Sequence, residues 1–194
     1  MLISKLGVIM TTDAIQKRER LMVDLSNAKR LYLAEYRNVD NAIYMIGYQG
    51  MSVDGFFRLL FSHGIMRIID IRKNPLSRVY GFHKSALACV SEYIGLDYVH
   101  VPDLGVPADW RKNLHSLSDY EALFAKYKNE ILPNNESMVY KVLDMINEEP
   151  SVIMCWEENP SFCHRSCVAD KLYTLSKMKV CDLRVDYDVR KDAN

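Results

Sequence analysis

Four short apolar runs, each followed by residues at helical spacing, limit most strongly the folds open to this chain. The runs cover residues 42–46, 67–71, 97–101 and 151–155, and a further run at 180–185 indicates a last strand. Short runs without strict polar alternation are typical of strands buried on both faces of a sheet. Because strands alternate with helices, the sequence predicts an α/β fold in three layers, with a mainly parallel sheet and helices on both faces.

Cap and breaker residues between the runs place the helices. Ser52 is a candidate N-cap for a first helix, because its hydroxyl can accept an unpaired backbone N–H. Gly95 is suited to end a second helix over 85–94. Two further helices are separated by a breaker at 133–135, and a last helix is expected over about 164–176.

The two ends of the chain differ from the central α/β domain, which we place at residues 41–186. Residues 1–40 predict an N-terminal helical extension, because residues 21–32 form an apolar stripe beside charges of mixed sign. Mixed charge favours packing on the domain or on a second copy of the chain over a nucleic-acid-binding arm. Residues 187–194 form a charged tail.

Composition and charge argue against several classes of function. The formal net charge is zero, with 25 basic and 25 acidic residues, which disfavours a whole surface dedicated to nucleic acid but allows a local patch. No apolar run approaches the ~18 residues that span a bilayer, and residues 2–10 lack a secretory signal pattern. The five cysteines do not indicate a disulfide framework. We therefore expect a cytoplasmic protein with no membrane partner.

Polar residues cluster after the predicted strands, at the edge of the sheet where ligands bind in open parallel folds. Asp70 and Arg72, two residues apart on one strand face, either form a structural ion pair at the strand end or have a functional role. The expected ligand-binding residues are Tyr48, Arg72, Asn74, Arg78 and Arg165. The expected catalytic residues are Asp70, Glu157, Cys163 and His164.

Cys163, His164 and Arg165 stand together at the start of the last predicted helix. Unpaired N–H groups and the helix dipole favour an anion there and lower the pKa of a thiol. Cys163 is therefore a candidate nucleophile, although a cysteine can also simply cap a helix. Arg165 in the first turn opposes the dipole, which a bound anion or a carboxylate such as Asp70 or Glu157 would relieve.

A zinc site built from the cysteine-rich segment is a further alternative. The residue types that bind zinc are present at Cys155, Cys163, His164 and Cys167. Their spacing, C-x7-C-H-x2-C, lacks paired C-x2-C knuckles, and adjacent side chains diverge at a helix start. P-loop and dinucleotide-binding signatures are also missing. The sequence therefore predicts neither a metal nor a cofactor.

Four stretches in a fixed order resemble one known family. They are residues 46–50, residues 70–78, residues 95–105, and Cys155-Trp156-Glu157 followed by Cys163-His164-Arg165. Together they cover roughly residues 43–175 and resemble the family called domain of unknown function 488. The resemblance implies a compact α/β domain with a shared polar cluster, and it implies no particular reaction.

Three functions are open, and the sequence does not decide whether the chain is an enzyme. The first is binding of, or action on, a small anionic ligand of phosphate- or nucleotide-like chemistry. The second is a nucleic-acid-associated module, with a local patch of Arg67, Arg72, Lys73, Arg78, Lys84, Arg111, Lys112, Tyr80, Phe82 and Trp110. The third is a structural or interaction protein that forms a homodimer through its N-terminal helix.

Overall fold

The fold is built on a five-stranded sheet in which neighbouring strands run parallel. A computed structural model describes residues 42–184. The strands are β1 (Ala42–Gly47), β2 (Arg67–Asp70), β3 (Asp97–His100), β4 (Ser151–Cys155) and β5 (Lys179–Leu183). Their order across the sheet is β3-β2-β4-β1-β5. The predicted parallel sheet is confirmed.

Helices at the predicted places cover this sheet. Within the described residues they are α1 (Val53–Ser62), α2 (Lys84–Ile94), α3 (Leu117–Asn134), α4 (Glu136–Glu148) and α5 (Arg165–Ser176). The Ser52 hydroxyl accepts a hydrogen bond from the Gly55 N–H at 3.1 Å, which confirms it as the N-cap of α1. Gly95 ends α2 in the left-handed conformation, at φ 78°. The predicted breaker at 133–135 does separate α3 from α4. Pro133 itself still lies in the last turn of α3, which ends one residue later at Asn134.

Alternate residues of the central strands supply two separate cores. In β4, Ile153 and Cys155 pack with residues of α3, α4 and α5. Val152 and Met154 point to the other face and pack with residues of α1 and α2. All five residues of β4 are buried, which explains why this strand is a continuous apolar run and not an alternation. The predicted three-layer arrangement is confirmed.

The chain leaves β2 and β4 in opposite directions, which opens a crevice between their carboxyl ends. From β2 it continues through α2 to β3, at one edge of the sheet. From β4 it continues through α5 to β5, at the other edge. Because α2 and α5 pack on opposite faces, this is a topological switch point, where open α/β sheets usually place a ligand.

Two glycines let loops from different strands close around this crevice. A Cβ at Gly47 would overlap the carbonyl oxygen of Glu157, so the loop after β4 can pass the end of β1 only without a side chain there. A Cβ at Gly105 would overlap the backbone nitrogen of Lys73. Both positions therefore need glycine because two backbone segments touch.

Several predictions concern residues outside the described range. The helical extension at 1–40 and the charged tail at 187–194 both lie outside residues 42–184. Dimerisation through the N-terminal helix and a cytoplasmic location stay predictions. None of the helices within residues 42–184 combines the length and the apolar character needed to cross a bilayer.

Candidate functional site

A cleft of about 290 Å³ lies at the switch point between the strand ends. Its walls come from the segments that follow β1, β2 and β4, and Arg111 is added from the segment after β3. Among the predicted site residues, those that line it are Tyr48, Arg72, Asn74, Arg78, Glu157 and His164. Residues outside the predicted set also line it, including Lys73, Arg111, Cys155 and Trp156. The fold therefore gathers most of the predicted binding residues around one cavity.

Four side chains with sulfur, nitrogen or carboxylate donors meet at the inner end of the cleft. Cys155 ends β4 and Glu157 follows two residues later, whereas Cys163 and His164 directly precede α5. The Cys155 thiol donates to a Glu157 carboxylate oxygen at 3.2 Å, and its sulfur lies 3.7 Å from Nδ1 of His164. One donor atom from each of the four residues lies within 4.8 Å of the others. We call these four residues the floor cluster.

The imidazole of His164 is oriented by the backbone after β2. Its Nε2 lies 3.4 Å from the carbonyl oxygen of Ile71, which favours the tautomer with the proton on Nε2. Nδ1 then faces the sulfur of Cys155. Burial lowers the pKa of His164, but the neighbouring Cys163 and Glu157 outweigh burial and raise the pKa overall.

Cys163 lacks the environment of an activated nucleophile. The residue is 1% exposed, and burial followed by the neighbouring Cys155 raises the thiol pKa well above its ordinary value. The expectation that the helix start lowers this pKa is therefore wrong, because burial removes the solvation that a thiolate needs. Cys163 also lies behind the lining of the cleft, one residue before the N-cap His164.

Asp70 and Arg72 form a closed, buried network beside the cleft. Arg72 Nε and Nη2 donate to the two carboxylate oxygens of Asp70 at 2.8 and 2.6 Å, and the Tyr98 hydroxyl donates to Asp70 at 2.5 Å. Arg72 Nη1 donates to the Tyr48 hydroxyl at 2.5 Å and to the Phe82 carbonyl at 2.9 Å. Burial lowers the pKa of Arg72, but Asp70 raises it above its ordinary value. Most donors of Arg72 are thus committed to holding the strand ends together.

Arg165 is fully buried and fastens the loop after β4 to β5. Its Nη1 donates to the Glu157 carbonyl, and its Nη2 donates to the Glu158 carbonyl at 2.7 Å and to Asp182 at 3.1 Å. These acceptors, and not the carboxylates expected from the sequence, relieve its conflict with the helix dipole. Burial lowers the pKa of Arg165, whereas Cys163 and Asp182 raise it overall. The guanidinium lies behind the cleft lining, so Arg165 shapes the site without facing it.

Basic side chains surround the outer end of the cleft. Lys73, Arg78 and Arg111 line it and are exposed. We call these three residues the basic rim. Within residues 42–184, Glu157 is the one carboxylate that lines the cleft, and it belongs to the floor cluster. The rim therefore gives the entrance a positive charge, which attracts anions.

Aromatic rings form one wall between the rim and the floor. Tyr48 is buried, and its ring stacks on Phe82 with centroids 4.3 Å apart. Trp156 meets Tyr48 edge-on, with centroids 5.1 Å apart, and is 36% exposed. This wall can pack against the flat part of a ligand.

The fold divides the basic patch that predicts nucleic-acid binding. Arg67 lies at the start of β2, away from the cleft, and pairs with Glu148 at 3.1 Å and Glu149 at 3.0 Å. Arg72 is committed to its buried network, and Phe82 is fully buried. The predicted patch is therefore not one continuous surface, although the basic rim retains part of it.

The sequence pointed only partly to the residues that complete the site. Lys73 and Arg111 belong to the predicted nucleic-acid patch, and the adjacency of Lys73 to Arg72 and Asn74 indicates that it shares their loop. Trp156 stands between two members of the floor cluster, which placed it at the same strand end. Asp182 gave no signal, because its contact with Arg165 requires β5 to lie beside β1.

The sequence matches one protein family over most of this site. The family described as "Domain of unknown function DUF488" matches residues 52–172, which is more than half of the chain. The chain belongs to this family. The match includes the loops after β2 and β4 and every residue of the floor cluster. No curated protein and no solved structure matches the chain. The family assignment made from the four motifs is confirmed, and it brings no reaction with it.

Proposed function

We propose that the cleft binds a small anionic compound of phosphate- or nucleotide-like chemistry. The observation that carries this proposal is the charge of the lining. Lys73, Arg78 and Arg111 lie around the entrance, and Glu157 is the single carboxylate among the described lining residues. A cleft with low-dielectric walls concentrates the field of such cations and raises the local concentration of anions. Arginine also offers paired N–H donors that fit a phosphate group.

The predicted ligand-binding residues divide into direct and supporting roles. Arg78 and Asn74 are exposed in the lining, so they are positioned to contact the ligand. Arg72 and Arg165 are buried and support the walls through their pairs with acidic residues and backbone carbonyls. This division explains how four polar strand-end residues can serve one site without all touching the ligand.

Two of the predicted catalytic residues reach the cleft. Glu157 and His164 line it and carry groups that can accept or donate a proton at a bound ligand. Cys163 and Asp70 lie behind the lining. If the cleft supports a reaction, proton transfer by Glu157 or His164 therefore fits the geometry better than attack by the Cys163 thiol.

The size of the cleft favours a compact ligand over a nucleic-acid strand. A volume of about 290 Å³ is near the lower end of the range for small-molecule sites. A strand would need a continuous basic groove with stacking aromatics, whereas Arg67 lies at the other end of β2 and Phe82 is fully buried behind Tyr48. The small-anion function therefore accounts for more of the described surface.

Trp156 offers a direct way to test the proposal. The chain has two tryptophans, so Trp110→Phe leaves Trp156 in the cleft wall as the only tryptophan emitter. Titration of this variant with adenosine monophosphate and with inorganic phosphate should change the emission saturably. A polymer would behave differently: a single-stranded oligonucleotide that binds more tightly, with a steep loss on adding salt, would favour the nucleic-acid function instead.

A matched pair of arginine variants locates the binding. Arg78→Ala should weaken binding about tenfold or more, because losing a charge-assisted hydrogen bond costs about 1.5–3 kcal/mol. Arg58→Ala removes the same charge from an exposed position on α1 outside the lining, and should change affinity by about twofold or less. Unchanged affinity in Arg78→Ala, or no saturable signal with either anion, would refute the proposal.

A further inference from the structure

We propose that the floor cluster binds one zinc ion, or a similar divalent ion that prefers thiolates, through Cys155, Glu157, Cys163 and His164. Two cysteines, a histidine and a carboxylate are donors that zinc accepts. One donor atom of each residue lies within 4.8 Å of the other three. The proposal goes beyond anion binding and does not depend on it, because it concerns the floor and not the basic rim. With zinc bound, Glu157 and His164 would be metal ligands, so the proton transfer described for them belongs to the metal-free cleft only.

The distances within the floor cluster are close to those of a tetrahedral site. With Zn–S of about 2.3 Å and Zn–N of about 2.1 Å, ligand atoms of such a site lie about 3.6 Å apart. The Cys155 sulfur is 3.7 Å from His164 Nδ1 and 3.2 Å from the Glu157 carboxylate. The remaining donor pairs lie within 4.8 Å, so side-chain rotations have to close gaps of only about 1 Å to complete the tetrahedron. The backbone therefore already holds all four residues around one point.

Groups behind the cluster fix the orientation of its ligands. His164 Nε2 faces the Ile71 carbonyl at 3.4 Å, and metal-binding histidines usually present one nitrogen in this way by donating the other N–H to a carbonyl. Arg165 donates to the carbonyls of Glu157 and Glu158, which fixes the loop that carries the ligating carboxylate. The Arg165 cation, beside Cys163, would also offset the net negative charge of zinc with two thiolates and a carboxylate.

The position of the cluster distinguishes it from ordinary core cysteines. Cys155, Glu157 and His164 line the cleft, so an ion has a route from solvent to the donors. Cys167 provides the contrast, because it is 2% exposed and lies one helical turn after Cys163, yet it is not part of the group of four. Burial alone therefore does not define the cluster; convergence of unlike donors does.

Metal titration of the full chain tests the proposal. All titrations use a chain with the substitution Cys89→Ser, because Cys89 is an exposed thiol that could bind metal on its own. After removal of metal with a chelator, zinc should bind at one equivalent per chain in competition with a chromophoric chelator. Cobalt(II) should give the absorption of a tetrahedral site together with sulfur-to-cobalt charge transfer. A chain that takes up no zinc and instead forms a Cys155–Cys163 disulfide would overturn the proposal.

Variants then assign the ligands. Cys155→Ser and Cys163→Ser should each weaken zinc binding by at least about 100-fold. In the cobalt spectrum of each variant, the sulfur-to-cobalt charge-transfer absorption should decrease. Glu157→Gln, at a half-buried position, should weaken it about tenfold or more and provides a ligand change that spares the core. Cys167→Ala should keep wild-type affinity within about threefold. Zinc binding that survives both serine variants, or that Cys167→Ala impairs as strongly, would overturn the assignment.

The outcome is separable from that of the proposed anion binding. Arg78→Ala should leave zinc stoichiometry unchanged, because the basic rim supplies no metal ligand in this arrangement. Loss of zinc binding in the serine variants, with phosphate binding still weakened by Arg78→Ala, would support both proposals. A chain that binds phosphate but no zinc would overturn the metal site alone.

Discussion

Replacing Asp70 by asparagine should show whether the buried Asp70–Arg72 pair holds the strand ends together. Asp70 is fully buried and Arg72 is 6% exposed, so neither charge can be solvated where it stands. The Arg72 guanidinium donates twice to this carboxylate, and the Tyr98 hydroxyl donates once. Asparagine keeps the shape of Asp70 but leaves the arginine cation buried without a counter-charge.

The contacts set the expected size of the effect. Removing one partner of a buried ion pair costs about 3–5 kcal/mol, because an uncompensated charge stays in the low-dielectric interior. Asparagine retains one oxygen that can accept from Arg72 Nε, so we expect the lower end, about 3 kcal/mol, for Asp70→Asn. Asp70→Ala loses both acceptors and should cost about 5 kcal/mol. A double-mutant cycle with Arg72→Met should give a coupling of about 2–3 kcal/mol.

Urea unfolding followed by tryptophan fluorescence measures these free energies. Asp144→Asn is the matched control, since Asp144 is exposed on α4 and its substitution should change stability by about 0.5 kcal/mol or less. The slope against urea should stay constant across the variants, which shows that the native fold is retained. A cost below about 1 kcal/mol for Asp70→Asn, or a coupling energy near zero with Arg72→Met, would refute the structural role. Arg72 would then be a ligand-binding residue.

Two further predictions test neighbouring contacts. Arg165→Lys should lower the free energy of unfolding by about 2 kcal/mol, because an ammonium cannot donate to two carbonyls and Asp182 as the guanidinium does. An unchanged urea midpoint would count against the role of Arg165 in fastening the loop. Burial, and then Asp70, raises the pKa of Tyr98 above its ordinary value. The stabilisation linked to this proton is complete below the unfolded pKa of about 10 and is lost as pH rises towards the folded value. Between pH 10 and 11 the wild type should therefore lose up to about 1 kcal/mol more than Tyr98→Phe, after solvent screening; parallel pH profiles would contradict this.

The strands were predictable because burial on both faces leaves a local signature. Residues 151–155 read as a continuous apolar run and form β4 with the same bounds. Gly95 was predictable as a helix end, since the left-handed exit favours a residue without Cβ. Strand order was not predictable, because the pairing of parallel strands depends on contacts between distant segments that leave no pattern in either strand.

Side-chain partners were harder to predict than the location of the site. Residues after parallel strands were expected to converge, and Tyr48, Arg78 and Glu157 line one cleft. The sequence nevertheless predicts that Arg165 binds the ligand. Its contact with Asp182 is not visible in the sequence, because that contact exists only once β5 lies beside β1. Local charge conflict thus identified a residue that needs an acceptor, but only the tertiary structure supplies which acceptor it finds.

The four proposed zinc donors also could not be identified from sequence spacing alone. Spacing rules assume that paired ligands come from one tight turn, and the C-x7-C-H-x2-C pattern does not meet that condition. In the fold, Cys155 at a strand end and Cys163 before a helix approach each other across the loop that Arg165 fastens. Glu157, and not Cys167, completes the group. A carboxylate in an ordinary loop has no spacing signature, so this donor set becomes visible only in three dimensions.

Zinc at the floor should leave phosphate affinity nearly unchanged, although the floor cluster and the basic rim share one cleft. Without a metal ion, the Glu157 carboxylate gives the floor one negative charge near an anion held by Arg78 and Arg111. Zinc adds two positive charges and releases the protons of the two ligating thiols, so the floor again carries one net negative charge. Phosphate affinity with and without zinc should therefore agree within about twofold, and by linkage phosphate should change zinc affinity as little, which calorimetric titration in both orders can measure. A gain of about tenfold or more in phosphate affinity on adding zinc would show that the anion contacts the metal ion itself and not only the basic rim.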